Sequence, residues 1–304
     1  MKLKETLRSL CPEAVHKLYA DTKFWIRFKF FPKGIASELF RGILGYEMNW
    51  ENPTDINEKI NWMKFHYDTS DWSRLADKYL VREYVKERIG EDHLPKLYGV
   101  WENANEIDFD QLPEKFVLKT NQGCATVMLV EDKSKLNIAE TRKTLNQWVK
   151  LRYGYETMEP HYLKIHPVIT AEEFLENDSS LSTSLIDYKV FCAMGKPQCI
   201  LVCKNRQIGV HADFSFYDCE WNALPEVNAG SHKGDFSETP KPDCLTQMLA
   251  CAEKLAEGHP QVRVDFYIVK GKIYFGEMTF TSQGGYMDYI SREFSRKLGE
   301  QVKL

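Results

Sequence analysis

Near the C-terminus, residues 262–280 read VRVDFYIVKGKIYFGEMTF, two runs of β-branched and aromatic residues separated by a Lys-Gly dipeptide. Such runs around a short connection are typical of a β-hairpin. Successive side chains of a strand alternate between its two faces, so Arg263 and Asp265 share one face of the first strand, and Glu277 and Thr279 share one face of the second. The chain therefore contains an antiparallel pair of strands with charged residues in their interiors.

The length of the loop decides whether those four side chains lie on the same face of the hairpin. A two-residue Lys270-Gly271 turn pairs Val269 with Lys272 and places Asp265 and Glu277 on opposite faces. A three-residue loop that begins at Val269 brings all four together. Three charged groups on one interior face are costly to bury unless they bind something, and two carboxylates with an arginine and a hydroxyl suit Mg²⁺ and phosphate. A solvated face with an ion pair is the alternative, and the hairpin alone does not decide between the two.

The composition is that of a globular protein, because 304 residues with 43% hydrophobic content can bury an ordinary core in two or three subdomains. The net charge of −4 argues against a general nucleic-acid binder. Eight cysteines include no C-x-x-C pair, and we expect them to be reduced and mostly to serve packing. Neither H-E-x-x-H nor G-x-S-x-G occurs, which disfavours zinc hydrolases and serine hydrolases.

The first 45 residues hold nine Lys and Arg against four acidic residues, so they carry +5 and the remainder carries −9. Within them, KFWIRFKFF alternates aromatic and basic residues. This pattern indicates either contact with a membrane surface or polyanion, or aromatic rings that cover an adjoining domain while the basic groups stay in water. The N-terminus has no apolar segment typical of a secretory signal, and no apolar run approaches the ~20 residues of a membrane-spanning helix. We therefore expect a cytoplasmic protein whose basic segment could contact the inner face of the membrane.

The rest of the chain predicts a mixed α+β architecture with antiparallel sheets. Asp55 and Glu58 have the spacing of a capping box and predict the start of a helix. The stretch 71–90 predicts a single stronger helix with Leu80 on its apolar stripe and Gly90 as its stop. Strands are expected at LPKLYGV, FVLKT and ATVMLV, and the pattern becomes rich in strands from HPVITAEEFLEN onward.

Two further segments could bind a nucleotide. Lys119 ends the strand FVLK and precedes the polar loop TNQGCAT, where a cation and loop N–H groups could hold a phosphate. ITAEEFLEN looks like a connector between two lobes. There Glu172 could accept a hydrogen bond from the exocyclic amine of adenine while a backbone N–H donates to the ring. Each segment alone also fits an ordinary strand end.

The order of the segments LADKYLVREYV, LPEKFVLK, TAEEFL, DYKVFC and VDFYIVKGKIYFGEMTF resembles that of ATP-grasp enzymes. With NEKINWMK, the pattern is most similar to the TupA-like ATP-grasp family, which is associated with teichuronopeptide and surface-polysaccharide synthesis. The resemblance runs from about Asn52 to the C-terminus. It implies an α+β ATP-grasp fold in which two lobes with antiparallel sheets clasp ATP. We expect a helical, basic and aromatic N-terminal segment at 1–70, a first ATP-grasp lobe at 71–168 and a second lobe with the Mg²⁺-binding hairpin at 169–304.

The resemblance also implies roles for individual residues. Lys78 and Lys119 would contact the phosphates of ATP. Adenine would be contacted by Glu172 and by the backbone of Glu173 and Leu175. The ribose hydroxyls would be contacted by Asp187. Mg²⁺ would be held by Asp265, Glu277 and Thr279. Arg263 would contact the transferring phosphoryl group. Lys189 and Arg206 could bind phosphate or the acceptor carboxylate. These roles require one shared face and so favour the three-residue loop. Many ATP-grasp enzymes have Glu-x-Asn where this chain has Glu277-Met278-Thr279, so a second metal position is in doubt.

The activity that the resemblance implies is ATP-dependent ligation of a carboxylate to an amine through an acyl phosphate. By analogy, an amino acid or amine would be joined to a uronic acid or another carboxylate of a capsule or surface polysaccharide. Two alternatives remain. A glycosyltransferase could use Asp108-Phe109-Asp110 as a D-x-D metal motif for a nucleotide sugar, and a non-catalytic binding protein could keep the fold with Thr279 in place of the amide.

Overall fold

The computed structural model describes residues 25–207, 211–233 and 237–304. The first 24 residues lie outside the described part. They include Cys11 and the N-terminal stretch in which no secretory signal was expected. The chain divides into two compact units, Met1–Met48 and Asn49–Leu304. In the first unit residues 25–30 are helical, and helix α1 spans Pro32–Leu44 and ends at the left-handed Gly45. None of the helices among the described residues combines the length and apolar character needed to cross a membrane.

The second unit begins with the predicted capping box. The carboxylate of Asp55 accepts a hydrogen bond from the N–H of Glu58 at 3.0 Å, and the Glu58 carboxylate accepts one from the N–H of Asp55 at 3.3 Å. The six α-helices in the described part of this unit are α2 Ile56–His66, α3 Ser70–Ala76, α4 Val81–Ile89, α5 Ile138–Trp148, α6 Leu245–Ala256 and α7 Arg292–Glu300.

The prediction of one continuous helix over 71–90 is wrong, because Asp77 separates α3 from α4. Its backbone is extended, and its Oδ1 accepts hydrogen bonds from the N–H groups of Tyr79 at 2.8 Å and Leu80 at 3.0 Å. An aspartate that binds these N–H groups starts a new turn, as at a helix N-terminus. Leu80 is consequently exposed, whereas the predicted stop at Gly90 is confirmed.

The first sheet has four antiparallel strands in the order β1-β4-β2-β3. Its strands are β1 Leu97–Trp101, β2 Phe116–Thr120, β3 Val127–Val130 and β4 Ile169–Glu173. Phe116 and Leu118 on one face are fully buried in a small core with Leu145 of α5. Val117 and Lys119 on the opposite face are only partly buried. The alternation expected of a half-buried strand is therefore present.

The second sheet has five antiparallel strands in the order β7-β6-β5-β8-β9. Its strands are β5 Asp187–Ala193, β6 Lys196–Gln207, β7 His211–Tyr217, β8 Gln261–Val269 and β9 Lys272–Thr279. Every residue of β5 is buried, so both faces of the sheet centre are covered. One face packs on Met248 and Leu255 of α6 within the main hydrophobic core. The seven described cysteines are free thiols, as predicted.

The sheet pairing differs from the predicted lobe boundary at residue 168. Strand β4 pairs with β1 and β2 and so belongs to the first sheet. Helices α3 and α4, which were expected in the first lobe, contribute to the main hydrophobic core together with the second sheet. In this core the ring of Trp72 stacks on that of Phe280, with 5.0 Å between the ring centres. We therefore propose a boundary after Glu173, with α2 to α4 assigned to the lobe of the five-stranded sheet.

The β8–β9 hairpin has a two-residue turn, so the prediction of a three-residue loop is wrong. Val269 lies opposite Lys272, and both turn residues are left-handed, Lys270 at φ 51° and Gly271 at φ 78°. Two left-handed central residues define a type I′ turn, which matches the twist of paired strands.

A β-bulge nevertheless brings the four polar side chains together. The register shifts by one residue at Gly276, so that Asp265 lies opposite Glu277 and Arg263 lies opposite Thr279. An extra residue on one strand reverses the alternation beyond it. The shared face is therefore confirmed, and its cause is the bulge within β9.

Candidate functional site

A cavity of about 680 Å³ is lined by residues of both sheets. Ten of the twelve predicted site residues line it: Lys78, Lys119, Glu172, Glu173, Leu175, Asp187, Lys189, Arg206, Asp265 and Glu277. Arg263 and Thr279 are 9% and 7% exposed and are not among the lining residues. The structure thus gathers the predicted residues around one cavity and separates these two from its interior.

Arg263 holds the two hairpin carboxylates in place. Its Nε lies 2.7 Å from Asp265 Oδ1, and its Nη2 lies 2.7 Å from Asp265 Oδ2 and 3.0 Å from Glu277 Oε1. The same Nη2 donates to the hydroxyl of Thr279, which in turn donates to Glu277 Oε1. A bidentate guanidinium makes the burial of Asp265 tolerable and fixes the orientation of both carboxylates.

Lysines approach the same carboxylates from the cavity side. Lys189 Nζ lies 2.5 Å from Asp265 Oδ2 and 3.7 Å from Asp187 Oδ1. Lys78 Nζ lies 3.3 Å from Glu277 Oε2. Burial alone would raise the pKa of Glu277, but Lys78, Arg263 and Lys189 together hold this pKa well below its ordinary value. The Glu277 side chain is therefore ionised at neutral pH.

The donor set of this site fits a magnesium ion. Asp265 and Glu277 both line the cavity, and Mg²⁺ is commonly held by one or two carboxylates while phosphate oxygens and water complete its coordination. No group of three or more His, Cys, Asp and Glu side chains suited to a metal occurs in the described ranges. The hydroxyl of Thr279, the third predicted ligand, is hydrogen-bonded to Arg263 and Glu277, and Thr279 is not among the lining residues.

Lys78 is anchored next to the polar loop 120–126. Its Nζ donates to the carbonyl of Gly123 at 2.5 Å, and its backbone N–H donates to the carbonyl of Asn121. The Asn121 side chain donates to Asp77 Oδ2 at 2.8 Å and accepts from the N–H of Val168 at 2.8 Å. The break at Asp77 therefore has a consequence for the site, because it fixes both Lys78 and the loop.

The opposite wall of the cavity carries one buried carboxylate, Glu172, which is 4% exposed. Lys119 Nζ lies 2.6 Å from its Oε2, and Arg82 Nη1 lies 3.5 Å from its Oε1. The backbone N–H of Glu173 donates to the carbonyl of Lys96, and the Glu173 carboxylate accepts from the backbone N–H of Lys96, so the N–H of Glu173 is already engaged within the protein. The apolar and aromatic residues of the cavity lining include Val117, Leu129, Leu175, Leu185, Tyr267 and Phe275, and they alternate with charged residues such as Lys115 and Glu176.

Sequence reasoning missed Arg82, Asn121 and Tyr267 as site residues. Arg82 lies in the segment LADKYLVREYV, four positions after Lys78, and this spacing could have indicated a shared side. Asn121 lies in the loop TNQGCAT, where only its fold contacts show its role. Tyr267 follows Asp265 at the spacing of one strand face, and Asp187 and burial hold its pKa far above the ordinary value.

The segment NEKINWMK on α2 fixes the loop after β9. Asn57 accepts from the N–H of Met287 at 2.8 Å, and Asn61 donates to the carbonyl of Gly285 at 2.7 Å. Lys64 donates to the carbonyl of Gly284, and burial lowers its pKa to about 7 despite the nearby Glu159. Spacings of four and three residues place these polar side chains on one helix face, and this face holds the chain immediately beyond the hairpin carboxylates.

The D-x-D tripeptide has a local structural role. Asp108 Oδ1 accepts a hydrogen bond from the N–H of Asp110 at 3.1 Å and caps the 3₁₀ turn Phe109–Gln111. Phe109 is buried in the small core. The tripeptide borders a separate open depression and is not part of the lining of the main cavity.

Two antiparallel sheets with their helices, around a cavity lined by carboxylates and cations, agree with the ATP-grasp fold that the resemblance implied. The family model described as TupA-like ATPgrasp matches residues 58–303. The chain belongs to this family.

Solved ATP-grasp structures are similar only at low identity. D-alanine–D-alanine ligase from Bacillus anthracis, complexed with ATP, is 15% identical with a TM-score of 0.41, and the match covers 68% of this chain and 55% of that one. The corresponding ligase from Helicobacter pylori is 13% identical, with 83% and 68% covered and a TM-score of 0.43. L-amino acid ligase from Bacillus licheniformis is 11% identical, with 71% and 43% covered and a TM-score of 0.43.

This chain therefore spans little more than half the length of the first of these ligases. At such scores the likeness adds nothing to the family assignment. A comparison with curated protein sequences found no significant match.

Proposed function

We propose that the protein is an ATP-dependent carboxylate–amine ligase. The observation that carries this proposal is the division of one cavity into two chemical ends. One end has two carboxylates on a shared strand face, with Lys78 and Lys189 beside them. At the other end Glu172 of β4 lies opposite the apolar Val117 of β2, which in turn lies opposite Leu129 of β3. A nucleoside triphosphate has the same division, because its base is flat and mostly apolar and its phosphates are strongly charged.

In this proposal adenine lies near Glu172, Glu173 and Leu175, and the phosphates extend toward the lysines. Lys119 and Lys78 contribute fixed positive charges from the two walls of the cavity. Asp187, which is ion-paired with Arg206 and lines the same cavity, would accept hydrogen bonds from the ribose hydroxyls. Mg²⁺, when held by Asp265 and Glu277, would neutralise charge on the phosphates.

The reaction proceeds in two displacements. A carboxylate oxygen of the first substrate attacks the γ-phosphorus, the bond to the bridging oxygen breaks, and ADP leaves. An amine then attacks the acyl carbon, phosphate leaves with the electrons of the C–O bond, and the nitrogen loses a proton. The preorganised cations Lys78, Lys119 and Lys189 would stabilise charge on the phosphoryl group, while Lys189 and Arg206 could also hold a substrate carboxylate. Arg263 would orient the metal-binding carboxylates, as a residue beneath the site.

Family analogy suggests the substrate class, although fold and family are weak guides to function. We propose that an amino acid or amine is joined to a uronic acid or another carboxylate of a saccharide during synthesis of a capsule or surface polysaccharide. Because the reaction consumes ATP, we place the protein in the cytoplasm. A position at the inner face of the membrane would bring the protein close to saccharides carried on lipids.

The two alternative functions differ from the ligase in testable ways. A glycosyltransferase would need a metal motif at a nucleotide-sugar site, but Asp108 is engaged in a turn away from the cavity. A non-catalytic binding protein has no need of the buried ion pairs of Arg263, Asp265 and Glu277, which are costly to form unless every charge is compensated.

The experiment is calorimetric titration of the full chain with a non-hydrolysable ATP analogue, with and without Mg²⁺, beside UDP-sugars. We expect magnesium-dependent binding of the ATP analogue, and a Glu277→Gln variant should lose most of the magnesium dependence. Asp108→Asn is the matched control, since it removes a carboxylate outside the cavity. Binding of a UDP-sugar alone, weakened by Asp108→Asn, would replace the ligase with the glycosyltransferase.

A further inference from the structure

The described part of the first unit exposes large apolar side chains. Trp25, Ile26, Phe30 and Phe31 are 49%, 44%, 62% and 65% exposed, and Ile43 on α1 is 43% exposed. Single exposed apolar residues are common on soluble proteins, but a group of large ones within a short segment indicates an interaction surface. We call residues 25–44 the aromatic–basic segment.

The same segment is positively charged. Residues 25–44 include four Lys and Arg against a single acidic residue. Lys29 Nζ lies 5.2 Å from the ring centre of Trp25 and 5.6 Å from that of Phe30, so this cation and the two aromatic rings are adjacent on the helix. The charge is concentrated in this region, because the first 45 residues carry +5 and the rest of the chain carries −9.

We propose that the aromatic–basic segment binds the surface of a membrane that contains anionic lipids. Aromatic rings settle at the boundary between headgroups and acyl chains, while Lys and Arg side chains contact the headgroup charges. A soluble polyanion would require the charge but would leave exposed Phe30 and Phe31 in water. A second copy of the chain would bring the same positive charge against itself, which opposes association. The proposal does not depend on the ligase reaction.

The test is sedimentation of the full chain with vesicles. One set contains phosphatidylcholine with about 30% phosphatidylglycerol, and the other contains phosphatidylcholine alone. We expect cosedimentation with the anionic vesicles only, and loss of most of it in about 1 M salt, because the screening length there is only about 3 Å. Heparin, added as a competitor, tests the alternative that the segment binds a soluble polyanion. Absence of binding to either kind of vesicle would overturn the proposal.

Variants assign the binding to this segment. A Phe30→Ser/Phe31→Ser double variant should weaken vesicle binding at least about tenfold, and Lys29→Gln/Lys33→Gln should weaken it about fivefold for each charge removed. The matched controls are Leu151→Ser, which replaces an apolar side chain that is 53% exposed in the second unit, and Lys135→Gln/Lys143→Gln. Both should bind as the unaltered chain does.

Thermal unfolding, gel filtration and binding of the ATP analogue provide the remaining readouts. We expect the Phe30→Ser/Phe31→Ser variant to keep the unfolding temperature, elution volume and analogue affinity of the unaltered chain. A lower unfolding temperature would show that the aromatic rings cover another part of the protein, and a changed elution volume would show a contact between copies. Either result would overturn the membrane assignment, as would undiminished vesicle binding by the double variant.

Discussion

The two sheets present very different faces to the cavity they share. The four-stranded sheet contributes apolar residues such as Val117 and Leu129 with one buried carboxylate, Glu172, that keeps two cationic partners. The five-stranded sheet contributes Asp187, Lys189 and Asp265, each tied to an oppositely charged neighbour.

This difference shows how charge is distributed in the site. On the first sheet, ordinary alternation between a buried and an open face is clear in β2, whereas four of the five residues of β4 are buried. On the second, the strand interiors tolerate charges only because every one is compensated, so removal of a single partner leaves an unbalanced buried ion. The predicted consequences of substitution are therefore unequal for the two faces.

The largest expected effect is that of Arg263→Met. Arg263 makes a two-point contact with Asp265, which is 1% exposed and would keep only Lys189, and it also bonds Glu277, so we expect the free energy of unfolding to fall by about 3–5 kcal/mol. Arg82→Met is the counterpart on the first sheet. Glu172 would retain Lys119 at 2.6 Å, and we expect a loss of only about 1 kcal/mol. Urea denaturation of both variants measures the difference.

A second substitution tests whether the loss arises from unbalanced charge. The Arg263→Met/Asp265→Asn double variant removes the carboxylate that Arg263→Met would leave with Lys189 as its close cation, and it should be more stable than Arg263→Met alone. If the two losses simply add, the coupling between these side chains is absent and the contrast between the two faces fails.

The acid dependence of stability should also reflect the second face. Because the pKa of Glu277 is lower in the folded state than in the unfolded state, the folded protein binds fewer protons in the ordinary titration range of glutamate. Its stabilising contribution is complete above that range and is lost as the pH falls through it toward the lower folded pKa. Denaturation between about pH 6 and pH 3 should show a steeper fall for the unaltered chain than for Glu277→Gln. Parallel curves would contradict the depressed pKa.

The first face is better tested by nucleotide affinity than by stability. Lys119→Met removes a cation that lines the cavity, and we expect about a tenfold to hundredfold loss of affinity for the ATP analogue, with or without Mg²⁺. Lys115→Met is the control, because Lys115 also lines the cavity but is an exposed partner of Glu176. Calorimetry should show the unaltered affinity for this control. An equal loss in both variants would mean that general positive charge, and no particular lysine, holds the phosphates.

Sequence analysis grouped the polar residues of the β8–β9 hairpin better than it predicted the backbone geometry that brings them together. Alternation grouped Arg263 with Asp265 and Glu277 with Thr279, and family resemblance brought the two pairs together. The three-residue loop that was predicted to bring the two pairs together was wrong, since the turn at Lys270-Gly271 has two residues. A turn type can be read from a dipeptide, whereas a bulge depends on how both strands fit together, and Gly276 within a strand was its only local signal.

Contacts between distant segments were equally hidden. The pattern over 71–90 favours a helix throughout, whereas Asp77 at the break binds two nearby backbone N–H groups and also Asn121, more than forty positions away. The predicted boundary at residue 168 placed β4 with the second lobe, because its pairing with β1 and β2 depends on the fold and leaves no mark on local composition. The capping box at Asp55 was predicted correctly because both of its partners lie within four residues.

The smallest expected effects compare two glycines of the β8–β9 hairpin. A Cβ at Gly276 would lie 3.1 Å from the carbonyl oxygen of Asp265, so Gly276→Ala should displace the bulge that aligns the carboxylates. Gly271→Ala meets no atom within 4 Å, but its φ of +78° is unfavourable for alanine. Each substitution should cost about 1 kcal/mol of stability, which urea denaturation measures.

Magnesium dependence separates the two glycines. Gly276→Ala should weaken magnesium-dependent binding of the ATP analogue several-fold, because Asp265 and Glu277 no longer meet in the same register. Gly271→Ala should leave it unchanged, since the turn lies beyond the register shift and only the backbone is strained. If both variants bind the analogue equally well in the presence of Mg²⁺, the alignment of the carboxylates does not depend on the bulge, and the second face owes its chemistry to Arg263 alone.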